Sequence, residues 1–89
     1  MLSSADKKKL RGVAQRLPAH VHVGKAGVSE TLITEMDALL KRDGLVKAKF
    51  IVGGDLLKSA IADLEERTQS ECVGSVGKTA VFFRERVDT

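Results

Sequence analysis

Between Ser4 and Leu17 the apolar residues Leu10, Val13, Ala14 and Leu17 recur at i, i+3, i+4 and i+7 in an otherwise charged stretch, which predicts an amphipathic helix. Ser3 or Ser4 can cap its start, and Pro18 ends it by pushing the preceding residue out of the helical region. Lys7, Lys8 and Arg11 then fall largely on the other faces of the helix. The period next switches to two. Ala19-His20-Val21-His22-Val23 reads as a strand with both histidines on one face and the small apolar residues on the other. A second helix follows Ser29, a good N-cap, with Glu30 at its positive end and a stripe of Leu32, Ile33, Met36, Leu39 and Leu40. Lys41 and Arg42 suit its last turn, and Gly44 suits the position beyond it. Leu45 to Val52 alternates again, with Val46, Ala48, Phe50 and Val52 facing one way and Leu45, Lys47, Lys49 and Ile51 the other. Gly53-Gly54 breaks the strand, and Asp55 is the expected cap of a third helix carrying Leu57, Ala60, Ile61 and Leu64 to about Thr68. Finally, Cys72–Val76 and Thr79–Phe83 are β-prone runs joined by Gly77-Lys78, a pair suited to a type II′ hairpin turn.

The order α-β-α-β-α-β-β predicts an α/β fold, a small four-stranded mixed sheet packed with helices, as a single domain over 1–89. Two strand–helix–strand crossovers imply right-handed parallel pairings, and the hairpin adds an antiparallel one. Because the first two strands alternate, one sheet face can be partly open to solvent. His20, His22, Lys47 and Lys49 would line it, either to engage phosphate or bases or simply as solvated residues blunting an edge.

Composition fits a soluble globular chain, 43% apolar and 30% charged, with three Phe and no Trp or Tyr. The core is therefore expected from Leu, Val, Ile and Ala. The lone Cys72 leaves no intramolecular disulfide. No apolar run reaches the roughly 18–20 residues of a membrane span, and the N-terminal stretch lacks the apolar region of a signal peptide. A cytoplasmic protein with no membrane partner is expected. Net charge is only +3 at neutral pH, but residues 1–25 hold six basic groups against Asp6 alone, and the remainder is slightly acidic. A local basic footprint follows, although the Lys7-Lys8-Lys9 run by itself is ordinarily a solvated helix face.

Candidate chemistry narrows quickly. His20, His22 and Cys72 lack metal-ligand spacing, Cys72 at a strand start reads as a small core residue, and Asp63, Glu65 and Glu66 read as a solvated helix end. No catalytic residues, metal site or cofactor are expected. Gly24-Lys25-Ala26-Gly27 is not a Walker loop, since the longer spacing and trailing Lys-Ser/Thr are missing. Two glycines flanking a lysine at a strand-to-helix turn nevertheless allow a close backbone approach by an anion beside a helix N-terminus. Lys78 in the hairpin, and Arg84 and Arg86 after the last strand, add basic groups near turns. This set suits phosphate contacts to a nucleic acid. The scarcity of aromatics disfavours a stacking platform and favours backbone and shape recognition of structured RNA, while charge alone leaves DNA open.

Several pieces in order resemble the CRM domain (chloroplast RNA splicing and ribosome maturation) in its stand-alone bacterial YhbY-type form. They are the Leu2-Ser3 start before a lysine-rich helix, Leu17-Pro18 leading to His22-Val23-Gly24, the GKAG turn, Gly44-Leu45-Val46-Lys47-Ala48-Lys49, and Val76-Gly77-Lys78-Thr79 ahead of Ala80-Val81-Phe82-Phe83-Arg84. The resemblance covers essentially the whole chain. It implies a fold similar to the C-terminal domain of translation initiation factor three, with a GxxG loop similar to that of KH domains. It further implies a non-enzymatic RNA-binding protein associated with ribosomal RNA precursors in pre-large-subunit particles. The RNA-contacting loop would be Gly24, Lys25, Ala26 and Gly27, with Lys7, Lys8, Arg11, Lys47, Lys49, Lys78 and Arg84 extending the basic field. Family members often carry an extra basic tail, so high affinity for RNA is expected to need a ribosomal partner. A monomer is expected. The alternative expectation is a protein-interaction module docking on a ribosomal protein or assembly factor.

Overall fold

The computed structural model describes residues 2–85. Its elements are α1 (Ser4–Ala14), β1 (Val21–Val23), α2 (Glu30–Asp43), β2 (Leu45–Phe50), α3 (Gly54–Thr68), β3 (Glu71–Val76) and β4 (Thr79–Phe83), in the predicted order. The four strands form one mixed sheet in the order β1-β2-β4-β3. β1 runs parallel to β2, and β4 is antiparallel to both β2 and β3. The second crossover therefore does not place β3 beside β2, as expected from sequence. β4 folds back between them. Its burial explains why: Ala80, Val81 and Phe82 are consecutive and all buried, which requires cover on both faces of the strand.

One face holds the main core. Val21, Val23, Val46, Ala48, Phe50, Ala80 and Phe82 meet Leu32, Met36 and Leu40 of α2 and Leu57 and Leu64 of α3. On the opposite face α1 covers a smaller cluster, in which Ala14, Val73 and Val81 pack with Leu2, Leu10, Leu45 and Phe83. Val13, expected in the apolar stripe of α1, instead points outward and is half exposed.

Local signals set most element ends. Ser3 caps α1 in a capping box, accepting from the Asp6 N–H while the Asp6 carboxylate accepts from the Ser3 N–H. These bonds hold the Asp6 carboxyl below its ordinary pKa. The regular helix stops at Ala14, ahead of Pro18, and the chain descends through two tighter turns from Arg16 N to Val13 O and Leu17 N to Ala14 O. In α2 the Ser29 hydroxyl accepts from the Leu32 N–H, and Gly44 closes the helix at φ +77°, both as expected. Asp55 is not the cap of α3. Gly53 occupies that position without a side-chain bond, and Asp55 lies inside the first turn. β1 is shorter than the alternation suggested: the His20 N–H bonds the Lys47 carbonyl, but the Lys47 N–H is taken by the His20 side chain and not by the backbone of the first strand. β2 likewise ends at Phe50, with Ile51 more than half exposed beyond it. β3 begins one residue earlier than expected, at Glu71. The hairpin has Gly77 at φ +59° and Lys78 at negative φ, the pattern of the expected type II′ turn. Thr68 is buried, and its hydroxyl is satisfied by the Leu64 carbonyl and Ser70.

Candidate nucleic-acid interface

The register assigns each basic residue to one end of the sheet. Leu45, Phe83 and Glu71 form a row at one end, and Val23 pairs with Phe50 at the other. Roughly 16 Å of strand separates the ends of β2. The GKAG turn leaves β1 at the second end. There the hairpin turn also closes, with Lys78 donating to the Ile51 carbonyl at 3.1 Å and the Phe50 N–H donating to the Lys78 carbonyl. Gly24, Lys25, Ala26, Gly27, Lys49 and Lys78 thus share one end of the molecule. His22 joins them, opposite Lys49 in the parallel pair.

Gly24 and Gly27 differ. The Gly27 N–H closes a turn onto the Gly24 carbonyl at 3.0 Å, and Gly27 has φ +80°, a conformation that suits glycine. Gly24 has no positive φ, and a Cβ there would meet nothing within 4 Å. The fold itself gives no reason for glycine at 24. Lys25 and Ala26 are exposed, and Lys25 makes no hydrogen bond or ion pair among the described residues. The N-terminus of α2 is already served by the Ser29 cap and the Glu30 carboxylate. An anion at this turn would therefore be met by Lys25 and the loop backbone more than by the helix dipole.

The expected open face is only half open, because α1 covers the other half. Lys47, counted as a surface cation from sequence, is drawn under the helix. Its ammonium donates to the Ala14 carbonyl at 3.3 Å, which also accepts from the Leu17 N–H, and to the Leu17 carbonyl at 3.0 Å, at the end of the helix. His20 is drawn in with it. Its Nδ1 accepts from the Lys47 N–H at 3.0 Å, and its own N–H donates to the Lys47 carbonyl. In that ring the neutral form carries its proton on Nε2. On α1, Lys7 and Arg11 lie four residues apart and both turn towards β3. Lys7 Nζ is 3.0 Å from Glu71 Oε2, and Arg11 donates to the Val73 carbonyl at 3.0 Å. The Arg11 stem crosses β3 at Gly74, where a Cβ would collide with it. Lys8 is exposed on the helix.

Arg84 sits at the far end of the sheet from the GKAG turn. Its N–H donates to the Gly44 carbonyl, and its guanidinium pairs with Asp37 while donating to the Thr68 and Asp37 carbonyls at 3.0 Å each. It ties the end of β4 to α2 and α3. Arg86 lies outside the described residues.

Sequence reasoning missed a groove of about 360 Å³ on the uncovered half of this face, lined by Arg11, Gln15, Lys47, Val76, Thr79 and Val81 among others. The hairpin alone sets Val76 opposite Thr79; the long-range pairings of β1 with β2 and β2 with β4 bring Lys49 and His22 into the same row. Among the described residues no group of His, Cys, Asp and Glu could hold a metal ion, and no helix is long and apolar enough to cross a membrane. Burial raises the pKa of the Cys72 thiol, which suits the core role read from sequence.

These features define a small α/β binding module: a four-stranded sheet between helices, with a lysine-bearing glycine turn at one end. The chain belongs to the CRS1 / YhbY (CRM) domain family, whose model matches residues 2–84. It is 29% identical to the "Probable RNA-binding protein YqeI" of Bacillus subtilis, with 96% of this chain and 90% of that protein aligned. It is 39% identical to the "Probable RNA-binding protein MJ0652" of Methanocaldococcus jannaschii, covering 96% of this chain and 65% of the longer archaeal protein. The fold matches the solution structure of the hypothetical protein SAV1595 from Staphylococcus aureus, described there as an RNA-binding candidate. That match has a TM-score of 0.87 and 30% identity, over 99% of this chain and 93% of the other. The family is named for a domain, and these relatives for RNA binding or a role in it, not for a catalysed reaction.

Proposed function

We propose that this protein is a non-enzymatic RNA-binding domain that contacts the phosphate backbone of structured RNA through Gly24–Gly27. Lys25 pairs with phosphate, and the bare backbone at Gly24 lets the strand approach closely. Lys49 and Lys78 extend the field at the same end, and Lys8 adds an exposed charge on α1, next to Lys7 and its Glu71 partner. The names of its relatives support RNA as the partner. The observation that carries the loop assignment is Gly24, a glycine in open space with no backbone need for one. Following the family resemblance, the RNA is a ribosomal RNA precursor in pre-large-subunit particles, bound by a cytoplasmic monomer.

The test pairs binding with stability. Gly24→Asp adds bulk and negative charge where the fold has room. It is expected to leave the thermal midpoint within about 2 °C and to weaken binding of a precursor ribosomal RNA fragment by about tenfold at 0.1 M salt. Unchanged affinity would remove the loop from the interface. Nuclease treatment of gradient fractions checks the particle: release from pre-large-subunit fractions is expected. Retention after digestion would instead favour docking on a ribosomal protein or assembly factor.

A further inference from the structure

The half of the α1-side sheet face that the helix leaves bare is more than a basic rim. The register aligns one residue from each strand across it: His22 on β1, Lys49 on β2, Thr79 on β4 and Val76 on β3. His22 and Lys49 are exposed, and Val76 is 77% exposed, the most of any large apolar residue described. The groove takes in Val76 and Thr79 from this row and adds Val81 and Lys47. Its walls include the planar end groups of Arg11 and Gln15, with the Thr79 hydroxyl beside them.

Two of these walls are held in place. The Arg11 guanidinium is fixed by its bond to the Val73 carbonyl and by the passage of its stem over Gly74. Lys47 is fixed by its bonds to the end of α1. The Gln15 side chain makes no hydrogen bond among the described residues and is exposed at the groove edge. No carboxylate appears among the groove-lining residues. Apolar lining from Val76 and Val81, planar donors and acceptors on Arg11 and Gln15, and the cations Lys47 and Lys49 close by match a heterocycle attached to a phosphate chain. They match an unstacked base better than an acidic or an aliphatic peptide.

We propose that this shelf docks a single unstacked RNA base, with the backbone running past Lys49 and His22 to the GKAG turn. The base lies on Val76 and Val81 and presents its polar edge to the Arg11 guanidinium, Gln15 and Thr79. The distance from β1, which the GKAG turn follows, to β3 across the row is three strand spacings or about 14 Å, which lets one strand of RNA reach both sites. The inference rests on the RNA-binding reading above and adds single-stranded readout to it. Phosphate contacts alone carry no sequence information, and a docked base does.

The test separates the shelf from the loop. Fluorescence anisotropy would compare a mixed-sequence RNA decamer, the same decamer with three internal abasic riboses, and a 20-base-pair RNA duplex. The intact decamer is expected to bind the natural protein about tenfold more tightly than the abasic one. The double variant Gln15→Ala/Val76→Ser changes no charge and alters two exposed residues. It is expected to bind both decamers with the same lower affinity, to keep the salt slope, and to bind the duplex within about twofold of the original. Lys25→Glu is expected to weaken all three RNAs alike. Equal binding of intact and abasic decamers by the natural protein overturns the shelf, as does an equal loss on decamer and duplex in the double variant. If Lys25→Glu leaves all three affinities unchanged while the double variant loses the base increment, the loop assignment falls and the shelf stands.

Discussion

Lys47 and Lys49 lie two residues apart on one strand and on one face, yet they are in different situations. Lys47 is tied to the Ala14 and Leu17 carbonyls and holds the end of α1 against the sheet. Lys49 is exposed, and its side chain makes no ion pair or hydrogen bond among the described residues. The same division runs through the whole basic set. Lys7, Arg11 and Arg84 are bound to partners that assemble the fold, whereas Lys8, Lys25 and Lys49 stand free towards solvent. A positive charge in this chain is therefore informative about function only after its partners are known. Charged pairs within the fold fix geometry, and unpaired ones at one end are available to neutralise phosphate.

The division breaks most visibly at its structural side. Arg84→Ala removes an ion pair and the guanidinium bonds to the Thr68 and Asp37 carbonyls. A loss of about 2 kcal/mol is expected, read as a lowered urea midpoint at unchanged slope. Lys47→Ala should cost somewhat less, about 1–2 kcal/mol, because water can reach part of the helix end. If either variant were as stable as the parent while losing RNA affinity, that lysine or arginine would belong with the free set. On the other side, Lys49→Ala should leave the midpoint unchanged and lower the salt dependence of RNA binding by about one unit of slope. The smallest effect concerns the α1 cap. The Asp6 carboxyl is held below its ordinary pKa by Ser3, so its contribution is present above the unfolded value and fades as pH falls below about 4. Asp6→Asn should lower the thermal midpoint slightly at pH 7, converge with the parent at low pH, and so flatten that acid-side decline.

Much of the architecture was legible because local chemistry and global fold agree. Ser29 and Gly44 bracket α2 as their side-chain and backbone preferences dictate, and Val46, Ala48 and Phe50 enter the core at period two. The strand order was not read correctly, although its signal was present. Ala80-Val81-Phe82 is an unbroken apolar run, the signature of a strand covered on both faces, and so it belongs in the middle of the sheet. Asp55 misled because an acidic residue after two glycines serves equally well inside a helix's first turn as at its cap. At the candidate site, the GKAG turn was visible from composition and spacing. Which lysines remain free was not, because that depends on where α1 stops and on which strands it crosses. The groove needed the register of all four strands, a long-range property that no window of sequence contains.

The central position of β4 has a consequence for the order in which the molecule is made. Phe82, fully buried, and Ala80 between β2 and β3 are among the last core residues of the described segment to leave the ribosome. Until they emerge, β3 has no strand beside it and β2 has only the three-residue β1. The helices can form as they appear, but the sheet cannot close around its middle strand before residue 83 has cleared the exit tunnel. Closure of the sheet accordingly waits on the arrival of one short hydrophobic strand.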